Sequence, residues 1–252
     1  MNRRRFLGKF AFCAASGLFL PGVIDAQIAP PIRKRWIPYS PAPDNTAVRL
    51  DAAGEAIAWP QQANEFDLGG VTIMAWCYIV TDTTNDAALM CIRGAGILFT
   101  GDVAYHLKLY VGWSKECTNE VEFKSGVWKH FAITNSAGAM CTWKSYADGI
   151  LDVTCPVSVP NNDNAYPKVG NDTYGAWTNG RFTAIKMWTV ELSQAEIQAE
   201  IPYYNAVKTA NLWSVVYAKV HTDLADKSGL GHDASAVGTL TTEAGPSTSV
   251  LT

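Results

Sequence analysis

An all-β fold, two antiparallel sheets packed as a sandwich with one short helix near 193–204, is what this sequence predicts. Three observations lead there. From Ala47 onward, short apolar runs alternate with turn signals roughly every ten residues, the spacing of a multi-stranded β-domain. Charged residues make up only 17% of the 252 positions, while Trp numbers 9, Tyr 10, Phe 9 and Gly 20, a mix that suits an extracellular β-module better than a helical cytosolic enzyme. Hydrophobic residues reach 48% and the net charge is −3, so the chain can bury a core and is not disordered. The same charge balance gives no electrostatic case for nucleic acid.

The elements follow in order. Val71 to Val80 is apolar on both faces, as a central sandwich strand should be. Ala87 to Arg93 comes after the polar turn Asp82-Thr83-Thr84-Asn85-Asp86. Tyr105, Leu107, Leu109 and Val111 alternate with His106, Lys108 and Tyr110, a half-buried pattern. Trp128 to Thr134 and Met140 to Tyr146 bracket a turn at Ser136-Ala137-Gly138. Asp148-Gly149 is a strong hairpin signal leading into Ile150 to Val159. Tyr166 to Gly170 and Arg181 to Trp188 complete the central set. Ser193 can cap the helix, Glu196 closes a capping box, and Leu192 can pack on Ile197 as a hydrophobic staple. Leu212 to Val220 and Ala234 to Leu240 read as late strands around a polar loop at 223–229, and the tail from Glu243 reads as frayed.

Residues 1–26 read as an export signal rather than part of the fold, with Arg3, Arg4 and Arg5 before an apolar run from Phe10 to Ile24. Asn2-Arg3-Arg4-Arg5-Phe6-Leu7 resembles a twin-arginine signal; an ordinary secretory signal is the other reading. Without residues 1–26 the chain keeps 16 basic and 22 acidic side chains, a net of −6, and no run able to span a bilayer. The expected location is periplasmic, cell-surface or extracellular. Residues 27–46 form a Pro-rich arm with a basic knot at Arg33-Lys34-Arg35, and residues 47–252 form the sandwich. Cys77, Cys91, Cys117, Cys141 and Cys155 follow the signal. Cys77 with Cys91, or Cys141 with Cys155, could bond across a hairpin in an oxidising compartment; the favoured reading is that all five are small buried apolar residues.

Four stretches in order carry a family resemblance. They are Val71-Thr72-Ile73-Met74-Ala75-Trp76-Cys77-Tyr78, Gly126-Val127-Trp128-Lys129-His130-Phe131-Ala132, and Trp143-Lys144-Ser145-Tyr146-Ala147-Asp148-Gly149. The last is the block from Val169-Gly170-Asn171-Asp172 through Asn179-Gly180-Arg181-Phe182 and Trp188 to Leu192-Ser193-Gln194-Ala195-Glu196-Ile197. Together, over residues 45–240, they resemble laminin-G-like domains of the concanavalin A-like lectin/glucanase superfamily. The resemblance implies a two-sheet antiparallel jelly roll, an architecture the strand rhythm permits.

Activity has to be argued from residues, because sites are grafted onto folds. The retaining glucanases of this superfamily carry Glu-x-Asp-x-x-Glu on one strand, where paired carboxylates sit about 5 Å apart. Glu116, Glu120 and Glu122 are the nearest approach, but no Asp lies between Glu120 and Glu122 and no third acid follows. There is no Gly-x-Ser-x-Gly elbow, and His106, His130, His221 and His232 show no metal spacing. The pentraxin branch implies calcium near Asn171 and Asp172, with Asp163 on the preceding loop; these oxygens suit that hard cation. Asn-Asp beside Gly is also plain turn chemistry, and Phe182-Thr183-Ala184 stands where the family often has an acidic pair.

A sugar site needs exposed rings for the apolar face of a pyranose and polar groups for its hydroxyls. Tyr174 and Trp177 in one polar loop, Tyr166 near Asn161-Asn162-Asp163-Asn164, and Trp113 at a strand end are the candidates. Trp113 and Trp177 could instead cover sheet edges, and Trp76, Trp128, Trp143 and Trp188 are assigned to the core. The expectation is an exported, non-catalytic, lectin-like carbohydrate binder, with calcium as its only candidate cofactor. A structural or adhesive protein self-associating through 27–44 is the alternative, and a polysaccharide hydrolase with relocated acids a third.

Overall fold

The computed structural model describes residues 45–60, 70–80, 87–92, 95–99, 106–111, 115–122, 125–137, 141–157, 167–171, 177–247 and 251. The expected signal and the Pro-rich arm up to residue 44 lie outside these residues; of the expected arm, Asn45 and Thr46 are described, and Thr46 already opens the first strand. The described strands are β1 Thr46–Leu50, β2 Ala56–Ala58, β3 Val71–Ile79, β4 Ala87–Ile92, β5 Ala95–Phe99, β6 His106–Val111, β7 Lys115–Glu122 and β8 Trp128–Asn135. Then come β9 Cys141–Ala147, β10 Ile150–Val157, β11 Lys168–Val169, β12 Gly180–Trp188, helix α1 Gln194–Glu200, β13 Leu212–Val216, β14 Ser235–Val237 and β15 Thr241–Ala244.

Two antiparallel sheets hold these strands. The first runs β10-β9-β8-β3-β12-β1-β15, with β13 also paired to β12; the second runs β14-β2-β11-β4-β5-β6-β7. β12 divides one flank between two partners. Val48 faces Phe182 on β1, and Ile185 faces Val216 on β13. The division falls at Ala184, whose φ of 52° turns the backbone so that its N–H donates to Tyr217 O.

Alternation on β3 explains why it is apolar throughout. Ile73, Ala75, Cys77 and Ile79 point between the sheets with Phe131, Ile133, Trp143 and Phe182. Met74 and Trp76 point to the outer face, which is also covered. Met74 joins Trp188, Leu192 and Ile197, and Trp76 joins Trp128, Tyr204 and Leu251. All four tryptophans assigned to the core are buried, and Trp59 and Trp213 join them.

Helix α1 has both halves of its capping box: Ser193 accepts from the Glu196 N–H, and Glu196 accepts from the Ser193 N–H. Leu192 and Ile197 are both fully buried in one cluster, as a staple requires. The helix stops earlier than expected, at Glu200. Pro202 has no N–H to continue it, and the Ile201 carbonyl accepts from Trp76 Nε1 instead. A buried ion pair pins the chain beyond: Lys186 Nζ donates to Glu200 Oε2 at 2.9 Å, while Glu200 also accepts from the Val207 and Lys208 N–H groups.

Several expectations are corrected. The tail is not frayed at Glu243, because β15 pairs with β1 and hides that sheet edge. The late strands shorten to Leu212–Val216 and Ser235–Val237, and the strand expected over 166–170 is reduced to Lys168–Val169. Neither hairpin disulfide forms. Cys155 faces Trp143 rather than Cys141, Cys77 and Cys91 are buried and form no disulfide, and Cys117 is bonded to Cys155. Sequence inspection also passes over β1, β2 and β5, which are too short or too rich in small residues to stand out.

Candidate functional site

The candidate loop leaves the second sheet at β11 and enters the first at β12. Its stem is held at every step. Gly170 has φ +88°, and a Cβ there would sit 2.2 Å from Leu50 Cδ2, so only glycine fits. Gly170 N donates to Leu89 O, and Thr178 N donates back to Gly170 O, both at 2.8 Å. Asn171 and Trp177 form an antiparallel bridge that closes the loop. Thr178 Oγ1 donates to Ala88 O at 2.8 Å, Cys91 Sγ donates to Asn171 O at 3.5 Å, and Val80 N donates to Asn179 O at 2.9 Å.

This stem places Trp177 half-buried and Asn171 at 6% exposure. Asn171 Oδ1 is buried without a hydrogen-bond partner. A buried amide oxygen left in that state costs free energy, so it marks a position where a donor or cation would be welcome. Of the sequence candidates, the structure brings together Asn171 and Trp177. Tyr174, Tyr166, Trp113, Asp163 and Asp172 lie outside the described residues.

Calcium takes six to eight oxygens. Asn171 Oδ1 is of the right kind, and among the described residues no group of three or more His, Cys, Asp and Glu could hold a metal. The stem therefore contributes one suitable oxygen.

His130, His221 and His232 have structural surroundings. His130 is buried edge-on to Trp76 at 5.7 Å, and burial, reinforced by the Lys186 charge, lowers its pKa to about 3. His232 stacks on Trp213 at 4.5 Å, and His221 bonds Thr242. β7, carrying Glu116, Glu120 and Glu122, is the terminal strand of the second sheet. In the late loop, Asp226 accepts from the N–H groups of Val215, Ser228 and His232. Those bonds, with the Ser228 hydroxyl, outweigh burial and bring its pKa below the usual range. That carboxylate organises the turn around 223–233.

One grouping escapes sequence inspection. Register aligns Arg49, Arg181, Tyr78 and Trp128 across four neighbouring strands of the first sheet, β1, β12, β3 and β8. Each arginine is alternate to buried apolar residues of its strand, which marks it as outward-facing. Nothing local reveals that the two are neighbours.

A family model described as the concanavalin A-like lectin/glucanases superfamily matches residues 51–198. No curated protein matches the chain in sequence. In fold the chain is similar to a Bacteroides ovatus ATCC 8483 protein provisionally described as carbohydrate binding. Identity is 12%, coverage is 83% of this chain and 62% of that one, and the TM-score is 0.63. It is also similar to domain 4 of the Geobacillus stearothermophilus extracellular arabinanase AbnA in complex with arabinotriose (14% identity, 64% and 79% coverage, TM-score 0.46). A third likeness is to the Ruminococcus gnavus IT-sialidase CBM40 bound to α2,3-sialyllactose (11% identity, 61% and 96% coverage, TM-score 0.46). At these identities the likeness concerns the fold. The chain spans 62% of the length of the Bacteroides protein.

Proposed function

The chain belongs to the concanavalin A-like lectin/glucanase superfamily, and from that membership we propose that it is an exported, non-catalytic module that binds carbohydrate through the loop between β11 and β12. The observation that carries the reading is the stem of that loop: a rigid base holding a half-buried Trp177 beside an Asn171 oxygen that has no partner. An indole offers a flat apolar surface to a sugar ring, and a preorganised amide oxygen offers an acceptor to a hydroxyl at little entropic cost. The carbohydrate-binding description of the Bacteroides protein supports the ligand class.

Calcium belongs to this proposal as an aid to the same loop, with Asn171, Asp172 and Asp163 supplying oxygens that order it. The non-catalytic assignment rests on the missing Glu-x-Asp-x-x-Glu around Glu116–Glu122. Export rests on the basic and apolar start of the chain, and the Cys117–Cys155 bond supports an oxidising destination. Among the described residues no helix is long and apolar enough to cross a membrane.

A glycan array with and without chelator, comparing the natural protein with Tyr174→Ala/Trp177→Ala, tests the reading. Retention should disappear in the double variant while its melting temperature stays unchanged. Retention equal to the natural protein's would overturn the loop assignment, and chelator-insensitive retention would remove calcium from it.

A further inference from the structure

The outer face of the first sheet carries a row of groups whose chemistry exceeds what a structural surface needs. Arg181 lies with its guanidinium carbon 4.8 Å from the centre of the Tyr78 ring, and the Tyr78 and Trp128 rings are 5.5 Å apart. Arg49 is the cross-strand neighbour of Arg181. Both guanidinia share one carboxylate: Arg181 Nη2 is 2.6 Å from Glu243 Oε2, and Arg49 Nε is 3.4 Å from Glu243 Oε1. One negative charge thus serves two positive ones.

The row is also rich in unsatisfied donors. Trp128 Nε1 and Arg181 Nε are both buried without a hydrogen-bond partner. Indole and guanidinium nitrogens only donate, so what this surface lacks is an acceptor. Its apolar side is filled by Leu251, 3% exposed in a cluster with Trp76, Trp128 and Tyr204, with Tyr78 packed alongside. An aliphatic side chain covers rings but accepts nothing. Glu243 is held less firmly, its side chain 37% exposed on the edge strand β15.

We propose that Arg49, Arg181, Tyr78 and Trp128 form a second binding site, for a carboxylate-bearing sugar, in which Glu243 occupies the place of the ligand's carboxylate and Leu251 that of its apolar ring face. An acidic pyranose supplies what these two residues supply, and adds hydroxyl and ring oxygens that can accept from the unpaired donors. Arginine is suited to the first task by its planar fork, and stacked rings to the second. The site is separate from the Trp177 loop and does not rest on it. In the natural protein Glu243 and Leu251 compete with the ligand, so their removal strengthens binding.

Trigalacturonate, with cellotriose as the neutral probe, is titrated calorimetrically at low salt into the full chain and its variants. Glu243→Gln should bind trigalacturonate about tenfold more tightly than the natural protein, the worth of one charge-assisted contact set free, and Leu251→Ser should also bind it more tightly, by uncovering the rings. Cellotriose binding should not change in Glu243→Gln. Adding Arg181→Gln should abolish the gain, and adding Trp177→Ala should leave it intact. Glu191→Gln removes the same charge elsewhere and should give no gain. The proposal is overturned if neither variant gains, if the gain survives Arg181→Gln, or if Glu191→Gln reproduces it. Leu251→Ser leaves every ion pair in place, so it gives a reading even where Glu243→Gln loosens β15.

Discussion

Cys117 and Cys155 join the two sheets at their open side, since β7 ends the second sheet and β10 ends the first. The bond spans 38 positions of sequence. A link of that span restricts the unfolded chain, and its removal should cost about 4 kcal/mol. Cys155→Ser should show this as a lower denaturant midpoint under non-reducing conditions, with reductant lowering the natural protein to the same value. Equal midpoints for variant and natural protein without reductant would mean that the bond does not form.

Lys186 and Glu200 are both 1% exposed and pair at 2.9 Å beneath the chain that follows α1. Lys186→Met strands a buried carboxylate, so the loss should be about 3–5 kcal/mol. Adding Glu200→Gln should recover part of it, because the amide removes the stranded charge while its single oxygen still accepts from one of the Val207 and Lys208 N–H groups. Urea unfolding of both variants checks the sign of that recovery.

Acid should weaken the fold through His130. Its folded-state pKa of about 3 lies below the ordinary 6.5, because burial and then the Lys186 charge oppose protonation. Between those values the unfolded chain takes up a proton that the folded chain refuses. The contribution is complete above pH 6.5 and is lost progressively as pH falls towards 3. His130→Phe should flatten the dependence of the urea midpoint between pH 6.5 and 5, above the range where carboxylates titrate. An unchanged slope there would show that another group is responsible.

Gly170→Ala tests the loop stem. The new methyl would meet Leu50 Cδ2 at 2.2 Å on a backbone with φ +88°. Thermal unfolding should register about 2 kcal/mol of destabilisation. Gly54→Ala, also at positive φ but in open space, should cost less. Equal losses would show that backbone strain alone matters at Gly170.

Much of the fold was legible because it depends on neighbours in sequence. Asp148 and Gly149 adopt φ of 50° and 74°, the left-handed pair their residue types favour in a two-residue hairpin. Ser193 and Glu196 close their capping box across three positions. Val71–Ile79 showed its burial on both faces through composition alone. Of the candidate site, Trp177 and Asn171 were legible as a ring and an amide in one loop. That they bridge, and that Asn171 Oδ1 is left without a donor, depends on how β11, β4 and β12 meet.

The sequence by itself determined the all-β class, the hairpin at Asp148-Gly149, the helix start and the buried tryptophans, since period, turn chemistry and capping act over a few residues. Tertiary structure decided that Cys117 meets Cys155 and that Arg49 stands beside Arg181. Those encounters follow from strand order and register, which are settled when distant strands pair and bury a common core. Arg49 Nη1 reaches the Gly180 carbonyl across 131 positions, and no local pattern encodes that meeting.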